Sequence, residues 1–264
     1  MGQATDEFVK YPRTPHLHNP KLLEFLLARQ KEQNSSKPVD DKMLSLAETL
    51  DVISKDDVTY VWESKLDGTN VGISFFEGKI FLQNRGHELK AGEHPQYSLF
   101  RNWAYTVMLD LQEILGDRYI MFGEWLNALH SIEYRTLPHY FFEFDIWDKK
   151  EKYFFDTELR SIMLEPLAKR NVLQQVPVVK TGRLSYEEAM KLIQHPPYFG
   201  EDAPEGLYLK VEQNGRTVGR YKLVRPDFVQ AIIEGNDEGE DHWSHKSMRI
   251  QGLAPGVDIT KPVP

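Results

Sequence analysis

The sequence predicts an α+β fold built on mostly antiparallel sheets flanked by helices. Helical periodicity is confined to four separate stretches, and aromatic or β-branched runs fill much of the chain between them. Two pairs of those runs are joined by dipeptides typical of tight turns, which favour hairpins over parallel crossovers. We expect one domain over residues 1–264, with an irregular N-terminal arm and a short C-terminal tail.

The helical pattern occurs at residues 21–33, 100–115, 157–170 and 185–194. The first stretch follows Asn19, a suitable cap, and has Pro20 in its first turn. One side of the second stretch is apolar and consists of Trp103, Val107, Leu111 and Leu115. The last stretch opens with Ser185 and Glu188 at capping-box spacing, which places its start.

Strands are predicted at residues 70–76, 79–85, 119–125, 139–147, 207–213 and 216–224. Asn214-Gly215 is a strong two-residue turn signal between the last two strands. Glu77-Gly78 is a weaker turn signal between the first two. Because a two-residue turn sets which residues lie opposite each other, both hairpins predict a register.

An uninterrupted hairpin at residues 207–224 places Arg220 opposite Leu209 and Lys222 opposite Leu207. Side chains alternate between faces, so Glu205, Arg220 and Lys222 are expected on one face and Lys210 on the other. A carboxylate with two cations fits a site for a metal ion and a phosphate, and a surface ion-pair cluster is the alternative.

The hairpin at residues 70–85 places Asn70 opposite Arg85 on one face. Both residues would lie just beyond the turn that follows Lys65. They could contact a nucleotide held over that turn, or they could form the polar end of a solvent-exposed hairpin.

Lys65 begins the segment Lys65-Leu-Asp-Gly-Thr-Asn70, which follows the apolar run at residues 58–62. A neutral lysine amine in such a turn can attack the α-phosphorus of ATP and form a phosphoramidate. Free lysine has a pKa of ~10.4, so we expect Arg220, Lys222 or a bound metal to lower the pKa of Lys65. Glu205 suits a hard cation, Mg²⁺ or Mn²⁺.

Two further strands carry candidate ligand contacts. Glu124 lies near the end of the strand at residues 119–125 and could accept hydrogen bonds from ribose hydroxyls, or it could be a surface carboxylate. Phe144, within the strand at residues 139–147, could stack on a base or pack in the core.

Together these segments resemble the motifs of covalent nucleotidyltransferases, the superfamily of ligases and capping enzymes. The matching segments, in the superfamily's order and spacing, are Lys65-Leu-Asp-Gly68, Arg85-Gly86, Phe122-Gly-Glu124, Phe144-Asp-Ile146, Glu205-Gly-Leu-Tyr-Leu-Lys210 and Arg220-Tyr-Lys222. Gly68-Thr-Asn70 is most similar to RNA ligases of the RNA ligase 2 type. The likeness extends to small bacterial proteins of that kind over about residues 9 to 259.

The resemblance implies a nucleotidyltransferase (adenylation) domain with an ATP-grasp-like fold. It implies that Lys65 carries AMP, that Glu205 holds Mg²⁺ or Mn²⁺, and that Arg220 and Lys222 contact the α-phosphate. The nucleotide-binding residues that it implies are Ser64, Asp67, Gly68, Asn70, Arg85, Glu124 and Phe144. Arg220 replaces a lysine common at this position, and Ser64 replaces a glutamate, so Ser64 would act through its backbone.

The expected activity is ATP-dependent RNA ligation through a covalent lysyl-AMP and an adenylylated RNA end, in RNA repair. The expected partners are RNA 5′-phosphate and 3′-hydroxyl ends, and an end-healing kinase or phosphatase. A DNA ligase and a capping guanylyltransferase are alternatives, but both usually carry an oligonucleotide-binding barrel after the last motif. Only 42 residues (264 − 222) follow Lys222. A nucleotide-binding module that adenylylates only itself is the other alternative.

The composition and charge of the sequence argue against several other classes of protein. The net charge of −8 argues against a protein that coats nucleic acid non-specifically. The sequence has no cysteine, which excludes disulfides and is compatible with a reducing compartment. Residues 1–10 lack an apolar signal segment, and no apolar run is long enough to span a membrane. We therefore expect a cytoplasmic protein without a membrane partner.

Overall fold

The computed structural model describes residues 8–24, 27, 42–90, 92–194, 199–200, 204–225, 228 and 248–261. The strands are β1 (Thr59–Lys65), β2 (Thr69–Phe76), β3 (Lys79–Asn84), β4 (Tyr119–Trp125), β5 (Phe141–Asp148), β6 (Tyr153–Phe155), β7 (Gln174–Gln175), β8 (Val178–Thr181), β9 (Gly206–Gln213) and β10 (Arg216–Val224). The helices are α1 (Leu46–Ile53), α2 (Gln96–Thr106), α3 (Met108–Leu115), α4 (Thr157–Lys169) and α5 (Tyr186–Leu192). None of the described helices has the length and apolarity needed to cross a bilayer.

The strands form one sheet in the order β3-β2-β4-β5-β6-β10-β9-β1-β8, and β7 also pairs with β5. Each pairing along that path is antiparallel, whereas β5 and β7 are parallel. The predicted α+β class with mostly antiparallel strands is confirmed.

The predicted helices are present with shifted limits. The stretch at residues 100–115 is two helices, α2 and α3, which meet at Val107. Its predicted apolar side is buried throughout. Ser185 and Glu188 form the expected capping box at the start of α5. Residues 20–24 and 27 are helical, and Asn19 accepts a hydrogen bond from the Leu22 amide. The rest of the helix predicted at residues 21–33 lies outside the described residues.

The β2–β3 hairpin has the predicted register. Glu77 and Gly78 have φ angles of 49° and 75°, as a type I′ turn requires. The pairing runs from Phe76 opposite Lys79 to Val71 opposite Asn84. Because β3 ends at Asn84, Arg85 lies just beyond the strand.

The predicted register of the β9–β10 hairpin is wrong beyond Thr217. The turn at Asn214-Gly215 forms as expected, but the register shifts at the exposed Val218, a β-bulge. Arg220 therefore lies opposite Lys210 instead of Leu209, and Lys222 lies opposite Tyr208 instead of Leu207. The extra residue in β10 changes which side chains of β9 and β10 share a face. Lys210 therefore lies on the same face as Arg220 and Lys222, contrary to the prediction.

The two faces of β1, β9 and β10 differ sharply in polarity. One face is apolar and is covered by α1 and α5; its buried residues include Tyr60, Trp62, Leu207, Leu209 and Leu223. The opposite face carries the charged side chains. This is the face on which the candidate site lies.

Two segments outside the sheet reach the site. We call residues 8–19 the arm: Val9 accepts a hydrogen bond from Gln83 on β3, and Leu17 donates one to the Lys222 carbonyl on β10. We call residues 248–261 the brace: they pair with the loop at residues 126–140, where Gly252 donates to the Tyr134 carbonyl at 2.9 Å.

Candidate active site

An open cavity of about 240 Å³ lies on the charged face of the sheet, at the end of β1. The predicted site residues that line it are Ser64, Lys65, Gly68, Asn70, Arg85, Glu124, Phe144 and Lys222. Five of the six motif segments therefore supply predicted residues of the cavity lining, and the sixth supplies Glu205, which contacts Lys65.

The turn after Lys65 is hydrogen-bonded to the loop at residues 126–140. The Asp67 carboxylate accepts hydrogen bonds from the amides of Ser131 at 2.7 Å and Ile132 at 2.8 Å. The Asp67 amide donates to the Tyr134 hydroxyl. Asp67 is therefore a structural residue of the turn, and it does not line the cavity in the described structure.

Gly68 is required by close packing. A Cβ at this position would lie 2.5 Å from the side chain of Leu126 and 2.7 Å from the Trp125 carbonyl oxygen. The small residue also lets the Gly68 amide reach Glu124, to which it donates at 3.0 Å. The acid and the glycine after Lys65 thus fix where the lysine stands.

The Lys65 ammonium contacts the Glu205 carboxylate, with 2.6 Å between Nζ and Oε1. Burial lowers the pKa of Lys65, but Glu205, Glu124 and Asp67 outweigh it, and the pKa is raised above its ordinary value. The expectation that Arg220 and Lys222 lower the pKa of Lys65 is wrong for this structure, whereas the expected effect of a bound metal stays a prediction. In this structure carboxylates surround the amine and keep it protonated.

Glu124 is the acid most affected by this crowding. Burial raises its pKa to about 8, with further increases from Glu205 and Asp67 that Lys65 and the Gly68 amide only partly offset. The pKa of Glu205 is also raised, chiefly by burial. Burial therefore favours the neutral form of Glu124.

The oxygen-rich surroundings of Lys65 fit a divalent cation. Mg²⁺ in proteins is usually held by one or two carboxylates together with water and substrate phosphates. Glu205, with Glu124 beside it, offers such a partial set of ligands. Within the described residues no three His, Cys, Asp or Glu side chains are grouped to hold a metal by themselves, so the phosphates would have to complete the site.

Asn70 and Arg85, from the β2–β3 hairpin, also line the cavity. Asn70 pairs with Glu124 across β2 and β4. Its side-chain oxygen is buried and has no hydrogen-bond partner among the described residues. An unpaired acceptor that lines a cavity can take a hydroxyl of a bound ligand.

Lys222 is positioned by the arm. Its amide donates to the Pro15 carbonyl at 3.0 Å, and its carbonyl accepts from the Leu17 amide at 2.8 Å. The arm therefore pairs with β10 on the side away from β9, along a part of the strand that has no other described partner there. Lys222 is a cavity residue because the bulge at Val218 turns it to this face.

Arg220 does not line the cavity. Its Nη1 lies 3.1 Å from Asp145 Oδ2, and its guanidinium stacks over Phe154 at 3.7 Å from the ring centroid. Arg220 is thus paired with a protein carboxylate here, and the phosphate contact that the resemblance implies for it stays a prediction. The pairing with Asp145 follows from the bulge, which brings Arg220 to the side of Lys210.

Beneath the cavity lies a buried network of three acids and three bases, Glu63, Glu143, Asp145, Arg160, Lys210 and Arg220. Lys210 contacts Asp145 and Glu63, each at 3.1 Å. Lys210 and Arg160 both donate to the Phe144 carbonyl oxygen. This network fixes the backbone of Phe144, whose ring lines the apolar end of the cavity together with Val176 and Tyr208.

Sequence reasoning missed several lining residues. Glu63 precedes Lys65 by two positions in β1, so strand alternation could have placed it on the same face. Tyr208 becomes a lining residue only once the bulge is known. Tyr11 and Thr14 lie on the irregular arm, where no periodic pattern predicts the direction of a side chain.

This mostly antiparallel sheet has the fold of the nucleotidyltransferase domain of RNA ligases. Its cavity contains the lysine that ends β1, with carboxylates beside the amine and aromatic residues in the lining. The sequence model of the RNA ligase family matches residues 58–224, and the chain belongs to that family. A search of curated proteins finds no match.

Solved structures of Naegleria gruberi RNA ligase are similar to this fold. A variant with ATP and Mn is 16% identical, with a TM-score of 0.58 over 75% of this chain and 58% of that chain. A second variant with ATP and Mn is 16% identical, with a TM-score of 0.56 over 69% and 54%. The same ligase with PPi is 18% identical, with a TM-score of 0.54 over 67% and 52%. The chain thus spans little more than half the length of these proteins, and at these identities the likeness concerns the fold alone.

Proposed function

We propose that the protein is an ATP-dependent RNA ligase that works through a covalent AMP on Lys65. The observation that carries the proposal is the position of Lys65, whose amine enters a cavity with carboxylates on one side and an aromatic end. The membership of the RNA ligase family supports the proposal. So do the structures of Naegleria gruberi RNA ligase, which were solved with ATP and Mn.

The cavity divides into two ends with different chemistry. Phe144, Val176 and Tyr208 offer an apolar end suited to a purine base. Asn70 and Glu124 can meet ribose hydroxyls. Lys222 lies where a phosphate would need a cation, and Lys65 stands between the two ends.

A divalent cation at Glu205, when bound, would neutralise charge on Glu205 and on the phosphate oxygens. The attack needs a neutral amine: the Lys65 ammonium gives a proton to water, and its neutral Nζ attacks the α-phosphorus. A phosphorus–nitrogen bond forms, the bond to the bridging oxygen breaks, and pyrophosphate leaves with the electron pair. Lys222 stabilises the negative charge that develops on the α-phosphate oxygens.

Two further transfers complete the proposed ligation. An oxygen of the RNA 5′-phosphate attacks the lysyl-AMP, the phosphorus–nitrogen bond breaks, and Lys65 regains a proton. The 3′-hydroxyl of the second RNA end then loses a proton and attacks the activated 5′-phosphate, which releases AMP. A role in RNA repair, a separate end-healing kinase or phosphatase, and a cytoplasmic location belong to the same proposal.

The decisive experiment uses ATP or GTP labelled at the α-phosphate, with Mg²⁺ or Mn²⁺, followed by denaturing electrophoresis. We expect label from ATP on the protein, none on Lys65→Ala, and unchanged labelling of Lys79→Ala, an exposed lysine at the start of β3. Label from GTP in place of ATP would indicate a capping enzyme. The absence of label from folded wild-type protein would refute the proposal.

A second experiment separates a ligase from a module that only adenylylates itself. The labelled protein is isolated and mixed with RNA that carries a 5′-phosphate, with and without a 3′-hydroxyl acceptor, and with the corresponding DNA ends. We expect AMP to move to the RNA end and a joined product to form with the acceptor. Retention of the label on Lys65 with every polynucleotide would contradict ligation, and joining of DNA alone would indicate a DNA ligase.

A further inference from the structure

Arg220 is placed differently from Lys222, although the two residues are only two positions apart on one face of β10. Lys222 lines the cavity, whereas Arg220 does not. The Arg220 guanidinium is held by the Asp145 carboxylate at 3.1 Å and by stacking over Phe154 at 3.7 Å. Its side chain is only 16% exposed. A cation that is buried, paired and stacked in this way has little freedom to turn to a phosphate.

Tyr11 connects Arg220 to the apolar end of the cavity. Its hydroxyl donates to Asp145 Oδ2 at 2.5 Å and lies 3.4 Å from Arg220 Nη1. The guanidinium carbon also lies 5.2 Å from the centre of the Tyr11 ring. Arg220 and Asp145 therefore both contact Tyr11. The Arg220 guanidinium lies against its ring and hydroxyl, and Asp145 accepts a hydrogen bond from the hydroxyl.

Tyr11 in turn contacts both aromatic residues at that end. Its ring centre is 5.3 Å from that of Phe144, in an edge-on arrangement. Its hydroxyl is 3.0 Å from the Tyr208 hydroxyl, which also meets Thr14 of the arm at 2.8 Å. A substitution at Arg220 should therefore disturb the aromatic end of the cavity more than the residues that contact phosphate.

Charge balance supports the same assignment. Asp145 is fully buried and lies between Lys210 and Arg220, both at 3.1 Å. Burial alone would raise the pKa of Asp145, but these two cations lower it below its ordinary value. Withdrawal of Arg220 to a phosphate would leave the buried carboxylate with less compensation, which is costly in a protein interior.

We propose that Arg220 is a positioning residue that holds Asp145 and Tyr11 against Phe144 and Tyr208, and that it does not bind the α-phosphate. This inference rests on the proposed function, because it assumes that adenine occupies the aromatic end. Lys222 is then the cation of this pair that contacts phosphate. The arm becomes part of the base-binding site through Tyr11.

The test compares the binding of AMP and adenosine by calorimetry without divalent metal, so that no covalent step intervenes. A residue that contacts phosphate affects AMP alone, whereas a residue that positions the base end affects both ligands equally. We expect Arg220→Ala to weaken both by a similar factor of about ten, and Tyr11→Phe to weaken both by about threefold, as the loss of one hydrogen bond allows. Lys222→Ala is the matched control and should weaken AMP but leave adenosine unchanged.

Arg220→Lys gives a second measurement that keeps the charge and is less disruptive than alanine. It should also weaken both ligands, because a lysine cannot stack over Phe154 with a planar group. Weaker binding of AMP with unchanged adenosine, in Arg220→Ala or Arg220→Lys, would overturn the inference and leave the proposed function intact. Unchanged binding of both ligands would also overturn it. Failure of the wild-type protein to bind AMP would instead overturn the proposed function, and this inference with it.

Discussion

The buried network beneath the cavity predicts that Arg160 is critical for stability. Arg160 is 1% exposed, and it contacts Glu63 at 2.7 Å and Glu143 at 3.1 Å, two acids that are equally buried. It also donates to the Phe144 carbonyl oxygen. Arg160→Ala would leave two buried carboxylates with only Lys210 nearby. Removal of one partner from a buried ion pair costs about 3–5 kcal/mol, a large part of the ~5–15 kcal/mol that stabilises a typical domain.

The assay is urea unfolding of the wild type and Arg160→Ala, analysed by midpoint and slope. The matched control is Arg170→Ala on the same chain segment. Arg170 contacts Asp110 at 2.6 Å, but its side chain is 40% exposed, and a surface pair contributes about 0–1 kcal/mol. We expect a large fall in the midpoint for Arg160→Ala, little change for Arg170→Ala, and equal slopes.

The loss in Arg160→Ala should also depend on pH. Burial already raises the pKa of Glu143, and Arg160 is the first of the groups that lower it again. Without Arg160 the folded state binds a proton at Glu143 more tightly than the unfolded state, so acid favours folding. The stability deficit should therefore shrink as the pH falls from 8 towards 5. A deficit below that of Arg170→Ala, or one that grows in acid, would refute this reasoning.

Three other predictions concern the turn that carries Lys65. Gly68→Ala places a methyl group 2.5 Å from the Leu126 side chain. We expect this variant to be folded by circular dichroism but to lose most or all of its self-labelling by ATP. Normal labelling would contradict the packing argument. Gln251→Ala removes the hydrogen bonds of the Gln251 side chain with the Tyr134 amide and the Ile132 carbonyl. Thermal unfolding should show that the free energy of unfolding falls by about 1–3 kcal/mol, and labelling by ATP should be slower. Lys261→Ala, at the exposed end of the brace, should change neither the stability nor the labelling. Glu124→Gln should remove a pH dependence: because the folded pKa of Glu124 is raised to about 8, the stability it contributes is complete below its ordinary pKa and is lost as pH rises towards 8. Chemical unfolding should thus show the wild type losing stability relative to Glu124→Gln across that range, and parallel curves would mean that Glu124 is ionised in the folded protein.

The parts of the site that follow from local patterns could be predicted from the sequence. Lys65 ends an apolar run and precedes a glycine, and strand alternation with a tight turn brings Asn70 near Arg85. The aromatic strand that carries Phe144 was recognisable in the same way. Each of these depends on one segment or on a single hairpin.

The features that could not be predicted depend on distant contacts or on a single irregular residue. Gly219, next to the exposed Val218, is the one local sign of a bulge, because an isolated glycine inside a strand often marks one. The turn at Asn214-Gly215 alone predicts an uninterrupted hairpin, so the facing of Lys210 and Arg220 could not be fixed from the turn. The break at Val107 is hidden because the apolar periodicity continues across it from α2 to α3. Two of the carboxylates that raise the pKa of Lys65, Glu205 and Glu124, are far from it in the sequence, so their effect appears only in three dimensions.

The brace has a consequence for how the protein is made. Gln251 accepts a hydrogen bond from the Tyr134 amide across 117 residues of sequence, and Tyr134 supports the turn of Lys65 through the Asp67 amide. Domains are synthesised from the N-terminus at about 5–20 residues per second, so the ribosome adds Gln251, 29 residues (251 − 222) after Lys222, about one to six seconds after the motifs of the site are complete. A nascent chain halted after β10 would hold Lys65, Glu205 and Lys222 but lack the contacts of the brace, and its capacity to react with ATP should appear only when the last segment has emerged.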